Sequence, residues 1–147
     1  MTNAELVVAR FREGFSCSQA ILATYGESLG VDVATAKRLA AGFSGGMGRL
    51  GMTCGAVAGA FMVLGLKFAG PGLDNTQAKE IACQKVRQFA EKFQARHGAL
   101  ACRELLGLDI STPEGFAAAK QQNVFVATCT KLLEDTAAIL DEMLGEG

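Results

Sequence analysis

The sequence predicts an all-α fold: a single domain over residues 1–147, built as a bundle of six to seven helices with a central apolar helix. Three observations lead to this prediction. Apolar residues recur with helical spacing, whereas no segment shows the strict alternation of a half-buried strand. Half of the residues are hydrophobic, and 147 residues can bury a core without disulfides or metals. The most hydrophobic stretch, from Gly55 to Ala69, is apolar all round, which indicates a buried helix.

The first two helices begin with capping boxes, in which a hydroxyl cap is followed three residues later by Glu or Gln. The two pairs are Thr2 with Glu5 and Ser16 with Gln19. The first helix should end near Gly14. The second should place Cys17 at its first position and end near Gly30.

The third and fourth helices flank a glycine-rich loop. Asp32 is the expected cap of the third helix, which continues through Phe43. The loop covers residues 44–52, and Thr53 is the expected cap of the central helix, with Cys54 at its start. Pro71 and Gly72 end that helix, because proline cannot continue a helix.

The C-terminal half alternates long and short elements. A long amphipathic helix starts at Asp74 or Asn75 and is closed by Gly98, and a short helix carries Cys102 before Gly107. Pro113 follows Thr112 at a helix start and leads a segment to about Gln121. The last helix has one apolar face, formed by Cys129, Leu132, Leu133, Thr136, Leu140 and Met143.

Composition and charge exclude several classes of protein. The net charge is −1 and no basic run occurs, so neither nucleic acid nor an anionic membrane is an expected partner. The stretch from Gly55 to Ala69 contains Lys67 and falls short of the roughly 20 apolar residues that span a membrane, so no membrane insertion is expected. The N-terminus carries Glu5 and Arg10 within its apolar stretch, unlike a signal peptide, which predicts a cytoplasmic protein.

Five cysteines point to redox or metal chemistry. An odd number in a reducing compartment favours metal-binding or catalytic thiols over permanent disulfides. Because a helix N-terminus favours the thiolate, Cys17 and Cys54 are expected to have the lowest thiol pKa values. Cys83 lies in the middle of a helix and is expected to remain outside any shared site.

The spacing of the other four cysteines excludes sequence-local metal motifs. Positions 17, 54, 102 and 129 are separated by 37, 48 and 27 residues, and no C-x-x-C pair occurs. A shared site must therefore be assembled by tertiary structure. Four thiolates could hold a two-iron or four-iron cluster or a tetrahedral zinc, and the sequence leaves these alternatives open.

Four segments carry a family resemblance over nearly the whole chain. They are F-S-C-S-Q-A-I-L with Cys17, G-F-S-G-G-M-G-R-L-G-M-T-C-G-A-V-A-G with Cys54, C-R-E-L-L-G with Cys102, and C-T-K-L-L-E-D with Cys129. This pattern resembles the C-GCAxxG-C-C family of redox-active proteins, whose central motif C-G-A-x-x-G is matched by the run from Cys54 to Gly59. Cys83 has no counterpart in the family pattern.

The resemblance implies a site as well as a function. It implies metal ligation by Cys17, Cys54, Cys102 and Cys129, with Gly51, Gly55 and Gly59 of the matched run as cofactor-binding residues. A related domain, in split-Soret cytochromes, is associated with an iron–sulfur cluster, which favours cluster binding here. The haem-binding part of that relation does not transfer, because the chain has no C-x-x-C-H run.

Other candidate residues have two interpretations each. The run from Gly46 to Gly51 fits G-x-G-x-x-G, but no strand precedes it, which argues against a dinucleotide site. Its glycines permit left-handed turns that could present N–H groups to an anion or bring the chain close to a cluster. Arg49 would either offset thiolate charge or be solvated. His97, at a helix end, is expected to act as a cap and would be the first substitute ligand.

The leading interpretation is a redox protein whose four cysteines bind an iron–sulfur cluster for electron transfer. One alternative is a metal-free thiol–disulfide oxidoreductase, with Cys17 or Cys54 as nucleophile. The other is a zinc-stabilised interaction module without catalysis. The expected partner is a redox protein that the sequence does not identify, and a homo-oligomer is compatible with the sequence.

Overall fold

Eight α-helices make up most of the chain in the computed structural model, which describes residues 1–145. They are α1 (Asn3–Arg12), α2 (Cys17–Gly26), α3 (Val33–Ala40), α4 (Gly55–Phe68), α5 (Asn75–His97), α6 (Cys102–Leu106), α7 (Pro113–Gln121) and α8 (Val124–Gly145). Short 3₁₀ turns, Glu27–Leu29 and Ala41–Phe43, extend α2 and α3. No strand occurs in the described residues, and the only β-type pairing there is an isolated bridge between Thr53 and Ala101. The predicted all-α class is therefore confirmed.

The predicted count of six to seven helices is too low. Between α5 and α8 the chain forms two separate short helices, because two residues with positive φ interrupt it. Gly107 (φ 71°) ends α6, and Asn123 (φ 58°) separates α7 from α8. Neither conformation continues a right-handed helix.

Most predicted caps are present. The Ser16 and Asp74 side chains both complete capping boxes, with Gln19 and Gln77 respectively. The start of α4 differs from the prediction. Its N-cap is Cys54 itself and not Thr53, because Thr53 pairs with Ala101 instead.

The apolar helix α4 lies at the centre, as predicted. It packs against α2, α5 and α8, and eight of its fourteen residues are buried. Small residues bring α2 very close: a Cβ added at Gly59 would lie 3.0 Å from the Ile21 Cβ and 3.1 Å from the Ser18 carbonyl oxygen. No helix among residues 1–145 combines the length and the apolar character that crossing a membrane requires.

The buried side chains form two separate hydrophobic clusters. The main core is built from helices α1 to α5 and α8. A smaller group, here called the 102–125 cluster, contains Cys102, Ile110 and Ala119 with the partly buried Leu106, Leu108, Phe116, Val124 and Phe125. Within the described residues, α7 packs chiefly on α8. The boundary between the two clusters positions the site described next.

Candidate functional site

Four of the five cysteines line a single cavity of about 180 Å³. Its wall contains Cys17, Cys54, Cys102 and Cys129, and most of the remaining wall is apolar: Phe11, Leu105, Leu106, Ile110, Phe116, Phe125 and Leu132, with Gly45, Gly55, Ser16 and Arg49. Cys83 is exposed on α5 and does not line this cavity. The fold thus brings together the four cysteines that are far apart in the sequence and leaves the fifth outside.

Cys17 is held by the start of α2. It is the first residue of that helix, directly after the capping box of Ser16 and Gln19. The start of α4 lies beside it, since a Cβ added at Gly55 would be 3.4 Å from the Cys17 Cβ. The tightest contact of such a Cβ would be with the Phe43 carbonyl oxygen, at 3.2 Å, so Gly55 leaves little room for a side chain at this point of the cavity.

Cys54 and Cys102 are held by a short backbone pairing between residues 51–54 and 100–103. The Cys54 N–H donates to the Leu100 carbonyl (2.8 Å), and the Cys102 N–H donates to that of Met52. The bridge between Thr53 and Ala101 lies between these two bonds. These hydrogen bonds fix the backbone of two cysteines at the N-termini of α4 and α6.

The glycine-rich loop forms a left-handed turn. Residues 45–49 all have φ between 60° and 76°, a conformation that is costly for any residue except glycine. Every backbone N–H from residue 47 to residue 52 donates to a carbonyl between residues 42 and 47, at 2.8 to 3.3 Å. These N–H groups are therefore not available to an anion.

The same turn brings the chain against the site. A Cβ added at Gly46 would lie 2.7 Å from the Cys102 Cβ, and Gly45 lines the cavity. Gly46 belongs to the run whose glycines were expected to permit left-handed turns and a close approach of the chain, whereas Gly45 was not singled out from the sequence. The signal that could have identified Gly45 is the Gly45–Gly46 doublet at the start of the loop.

The three candidate cofactor-binding glycines have different positions. Gly55 lines the cavity, whereas Gly51 and Gly59 are not part of its wall. Gly59 allows the close contact between α2 and α4, and the space beside Gly51 is filled by the Arg103 side chain, 3.2 Å from a Cβ added there.

Arg49 forms part of the cavity wall although its side chain is exposed. Its guanidinium carbon lies 4.5 Å from the centre of the Phe116 ring, and the Lys120 ammonium lies 4.9 Å from the same ring. Within residues 1–145 no carboxylate forms an ion pair with Arg49. Arg49 therefore lies in the cavity wall and is also exposed to solvent, so both interpretations of this residue stay open.

His97 lies away from the cavity. Its Nε2 is 2.9 Å from Asp135 Oδ2, and its ring packs against that of Phe93 in a tilted arrangement, with the ring centres 4.6 Å apart and the planes at 44°. It is the last residue of α5, before Gly98 in the left-handed conformation. Its contacts join α5 to α8, so it has no access to the four sulfurs as a substitute ligand.

The four cavity cysteines alter one another's pKa values. The pKa of Cys17 is well above its ordinary value, because its S–H bonds to Cys129, its surroundings exclude water, and a thiolate would be repelled by the other three. Burial raises the pKa of Cys54 to about 11, although the N–H groups of Val57 and Ala56 oppose the rise. Burial and the Cys54 and Cys129 charges raise the pKa of Cys102 to about 12. The bond from Cys17 lowers the pKa of Cys129.

The prediction that Cys17 and Cys54 have the lowest thiol pKa values is therefore wrong. The N–H groups at the start of α4 lower the pKa of Cys54, as predicted, but burial raises it by more. Cys129, in the second turn of α8, has the lowered pKa instead.

The arrangement suits sulfur chemistry and contains no ready single-ion site. No group of three or more His, Cys, Asp or Glu side chains in residues 1–145 is arranged to hold a metal ion. The cavity offers four thiols, no carboxylate and no imidazole. Such a set can form disulfides or bind a soft, sulfur-preferring metal group.

Comparison with family models gives a match over most of the chain. Residues 15–143 match the family model described as "Putative redox-active protein (C_GCAxxG_C_C)". No curated protein and no solved structure is significantly similar to the chain.

Proposed function

The chain belongs to the C_GCAxxG_C_C family, whose description is that of a redox-active protein, and we propose that it is an electron carrier that binds an iron–sulfur cluster through Cys17, Cys54, Cys102 and Cys129. The observation that carries the proposal is the shared cavity. Four thiols from α2, α6, α8 and the start of α4 line it, and no other side chain in its wall is a common metal ligand. Thiolate is the ligand that iron–sulfur clusters use.

A cluster suits this cavity better than a single ion. A tetrahedral zinc requires four sulfurs within about 2.3 Å of one point. The side chains of residues 1–145 present no such group, yet all four cysteines line one cavity of about 180 Å³. A cluster shares its cysteines among several iron atoms, so its sulfurs stand farther apart. Ligation would require the short cysteine side chains to turn about χ1, and the fold already places all four around the cavity.

The surroundings provide positive charge for a thiolate-bound group. Cys17 begins α2 and Cys54 caps α4, so the positive ends of two helix dipoles point to the site. Arg49 adds a full charge in the wall. Because Arg49 is also exposed, the cavity reaches the surface on this side, which is where a redox partner protein would approach. The bound group would supply one-electron exchange, and these residues would hold it and tune its potential.

The proposal has three further parts. It includes a cytoplasmic location, where thiols stay reduced. It includes the relation to the iron–sulfur domain of split-Soret cytochromes that the cysteine pattern implies. It also includes a partner protein that accepts or donates the electron, while a homo-oligomer stays compatible with it.

Anaerobic purification followed by iron, zinc and acid-labile sulfide analysis tests the proposal. We expect iron and sulfide in equal amounts, with a visible absorption band that is lost in each of the serine variants of Cys17, Cys54, Cys102 and Cys129. Cys83→Ser is the matched control and should retain the band, because Cys83 is outside the cavity. Zinc without iron would replace the proposal by the zinc-stabilised module, and the absence of any metal would favour the thiol–disulfide oxidoreductase.

A further inference from the structure

A surface groove, here called the outer groove, adjoins the cysteine cavity. It has a volume of about 340 Å³; residues 48–50 of the glycine-rich loop form one side, and residues 110–113 with Phe116 form the other. Three of its wall residues, Arg49, Ile110 and Phe116, also line the cavity that contains the four cysteines. A molecule in the outer groove would therefore lie one layer of side chains away from that cavity.

The outer groove carries positive charge that the fold does not neutralise. The Arg49 guanidinium carbon and the Lys120 ammonium lie over the Phe116 ring, 4.5 Å and 4.9 Å from its centre. Within residues 1–145 neither cation forms an ion pair, and no carboxylate lines the groove. Asp109, close in sequence to the groove wall, is paired with Arg103 at 3.6 Å. An anionic surface is therefore the electrostatic complement of this groove.

Two exposed apolar side chains of the same loop accompany this charge. Leu50 is 56% exposed and Met52 is 54% exposed. Every backbone N–H from residue 47 to residue 52 donates to a carbonyl between residues 42 and 47, which holds the loop in one conformation. Binding to a fixed loop costs little conformational entropy. Met and Arg are also enriched at protein interfaces, so these features together favour a protein as the occupant.

We propose that the outer groove, with Leu50 and Met52, is the docking surface for an acidic one-electron carrier protein. Carboxylates of the partner would pair with Arg49 and Lys120, and an apolar side chain would contact the two exposed residues of the loop. One electron passes between the partner's redox centre and the site, and no bond is formed or broken. The electron exchange rests on the proposed function, whereas the binding of an acidic surface does not.

A weak contact of limited area suits this role. Encounters between redox proteins bury less than about 1,200 Å² in total, so one groove and two apolar anchors are a sufficient contact. Opposite charges raise the rate of such encounters and set the orientation in which the two proteins meet. The orientation here would bring the partner against Arg49 and Phe116, the side chains that also border the cavity.

Chemical coupling tests the binding surface on the protein as purified, whatever metal it contains. The probe is flavodoxin, a small acidic electron carrier, and a carbodiimide joins its carboxylates to nearby amines. Peptide mass spectrometry should find Lys120 coupled, and about 0.5 M salt should suppress the product. Lys79, which is exposed on α5 and lines neither the groove nor the cavity, is the internal control. Equal coupling of Lys79 and Lys120 would overturn the proposal.

Titration with flavodoxin tests the two cations. The double variant R49Q/K120Q should raise the dissociation constant about tenfold at about 0.1 M salt, where exposed charges act over only about 10 Å. The matched control K85Q/R87Q also removes two positive charges, and Lys85 likewise lies over an aromatic ring, 4.4 Å from the centre of Phe68. It should leave the dissociation constant unchanged. Equal effects of the two double variants would contradict the assigned surface.

The apolar anchors are tested in the same titration. Leu50→Ser should raise the dissociation constant, whereas Leu73→Ser should not, because Leu73 is 39% exposed between α4 and α5 and lines neither the groove nor the cavity. Self-association of the unmodified chain that is lost in the Leu50 variant would show that the surface binds a second copy. That result would overturn the proposal.

Stopped-flow kinetics test the electron exchange. Reduced flavodoxin should reduce the cluster-bound protein, and R49Q/K120Q should slow this reaction about tenfold at low salt, whereas K85Q/R87Q should not. Cytochrome c, a basic carrier, is the opposite-charge comparison and should not react more slowly with R49Q/K120Q. No reaction with flavodoxin, in protein that dithionite reduces, would overturn the exchange. If the purified protein contains no cluster, the proposed function fails, while coupling and titration still decide the docking surface.

Discussion

At the scale of single residues, burial decides the pKa values of the Cys54 and Cys102 thiols. A helix terminus contributes about 0.3–1 kcal/mol, which is less than one pKa unit at about 1.4 kcal/mol per unit. Burial and the neighbouring sulfurs have a larger effect, since the pKa of Cys54 rises from 9.0 to about 11 despite the N–H groups near it. The cavity therefore favours protonated thiols, and a cation must displace protons in order to bind there.

The raised thiol pKa values predict a loss of stability at alkaline pH. Between about pH 9 and pH 12 the unfolded chain releases protons that folded Cys54 and Cys102 still hold, so the free energy of unfolding should fall as pH rises. The urea midpoint of reduced, metal-free protein should therefore decrease over this range. Cys54→Ser should show a shallower decrease than the unmodified chain. An equal slope in both would contradict the burial argument.

Exposure predicts the order in which the thiols react. Cys83 is exposed, whereas Cys54, Cys102 and Cys129 are at most 7% exposed. In reduced, metal-free protein, iodoacetamide at neutral pH should therefore label Cys83 before the four cavity cysteines, as followed by peptide mass spectrometry. This reverses the order that helix position alone suggests. Earlier labelling of Cys17 or Cys54 would show that the helix N-terminus outweighs burial.

The sequence predicted the composition of the site better than its environment. Chain order and capping patterns placed Cys17 and Cys54 at helix starts, and Cys83, which was expected to remain outside any shared site because it lies in the middle of a helix, does not line the cavity. The pKa values, the contact between Cys17 and Cys129, and the place of Arg49 beside Phe116 depend on atoms brought together only by folding. No local pattern contains that information.

At the scale of helices, glycine sets the distance between α2 and α4. A Cβ at Gly59 would meet both Ile21 and the Ser18 carbonyl oxygen, and the latter belongs to a helix backbone that cannot yield easily. Gly65 lies in the same helix, and a Cβ there would meet nothing within 4 Å. Comparing the two positions therefore distinguishes the role of glycine in close helix packing from its unfavourable effect on helix stability.

Alanine substitution at these two positions should have opposite effects. Gly59→Ala should lower the free energy of unfolding by about 1–3 kcal/mol through overpacking. Gly65→Ala, the matched control, should raise it by about 0.5–1 kcal/mol because alanine favours the helix. Urea denaturation of each variant measures both changes in the free energy of unfolding. Equal effects of the two variants would contradict the close contact of α2 with α4.

At the scale of the whole molecule, the site lies where two hydrophobic clusters meet. The main core and the 102–125 cluster are separate, and Cys102 belongs to the smaller one. The sequence predicted the class and the central helix, because periodicity and apolar character are local properties. It did not predict this division, which depends on contacts that form only on folding, whereas the breaks before Gly107 and near Gln121 were predicted and only the total number of helices was given too low.

Hydrogen exchange should distinguish the main core from the 102–125 cluster. Because α7 packs chiefly on α8, its amides should exchange faster than those of α4, which is enclosed by three helices. Local opening costs least where few apolar contacts are lost. Mass spectrometry of the metal-free protein, with peptides from α4 as the internal reference, measures the difference. Equal protection of α4 and α7 would show that the molecule opens as one unit.

The four cavity cysteines are far apart in the sequence, and this spacing affects how the cluster-bound (loaded) protein unfolds. A group bonded to all four sulfurs divides the chain into closed loops of 37, 48 and 27 residues. On the chain-entropy account, closing a loop of this size destabilises the unfolded state by about 3–5 kcal/mol. Under the proposed function, unfolding must also break iron–sulfur bonds that do not re-form in air. The thermal midpoint of the loaded protein should therefore depend on the heating rate, whereas that of the reduced, metal-free protein should not.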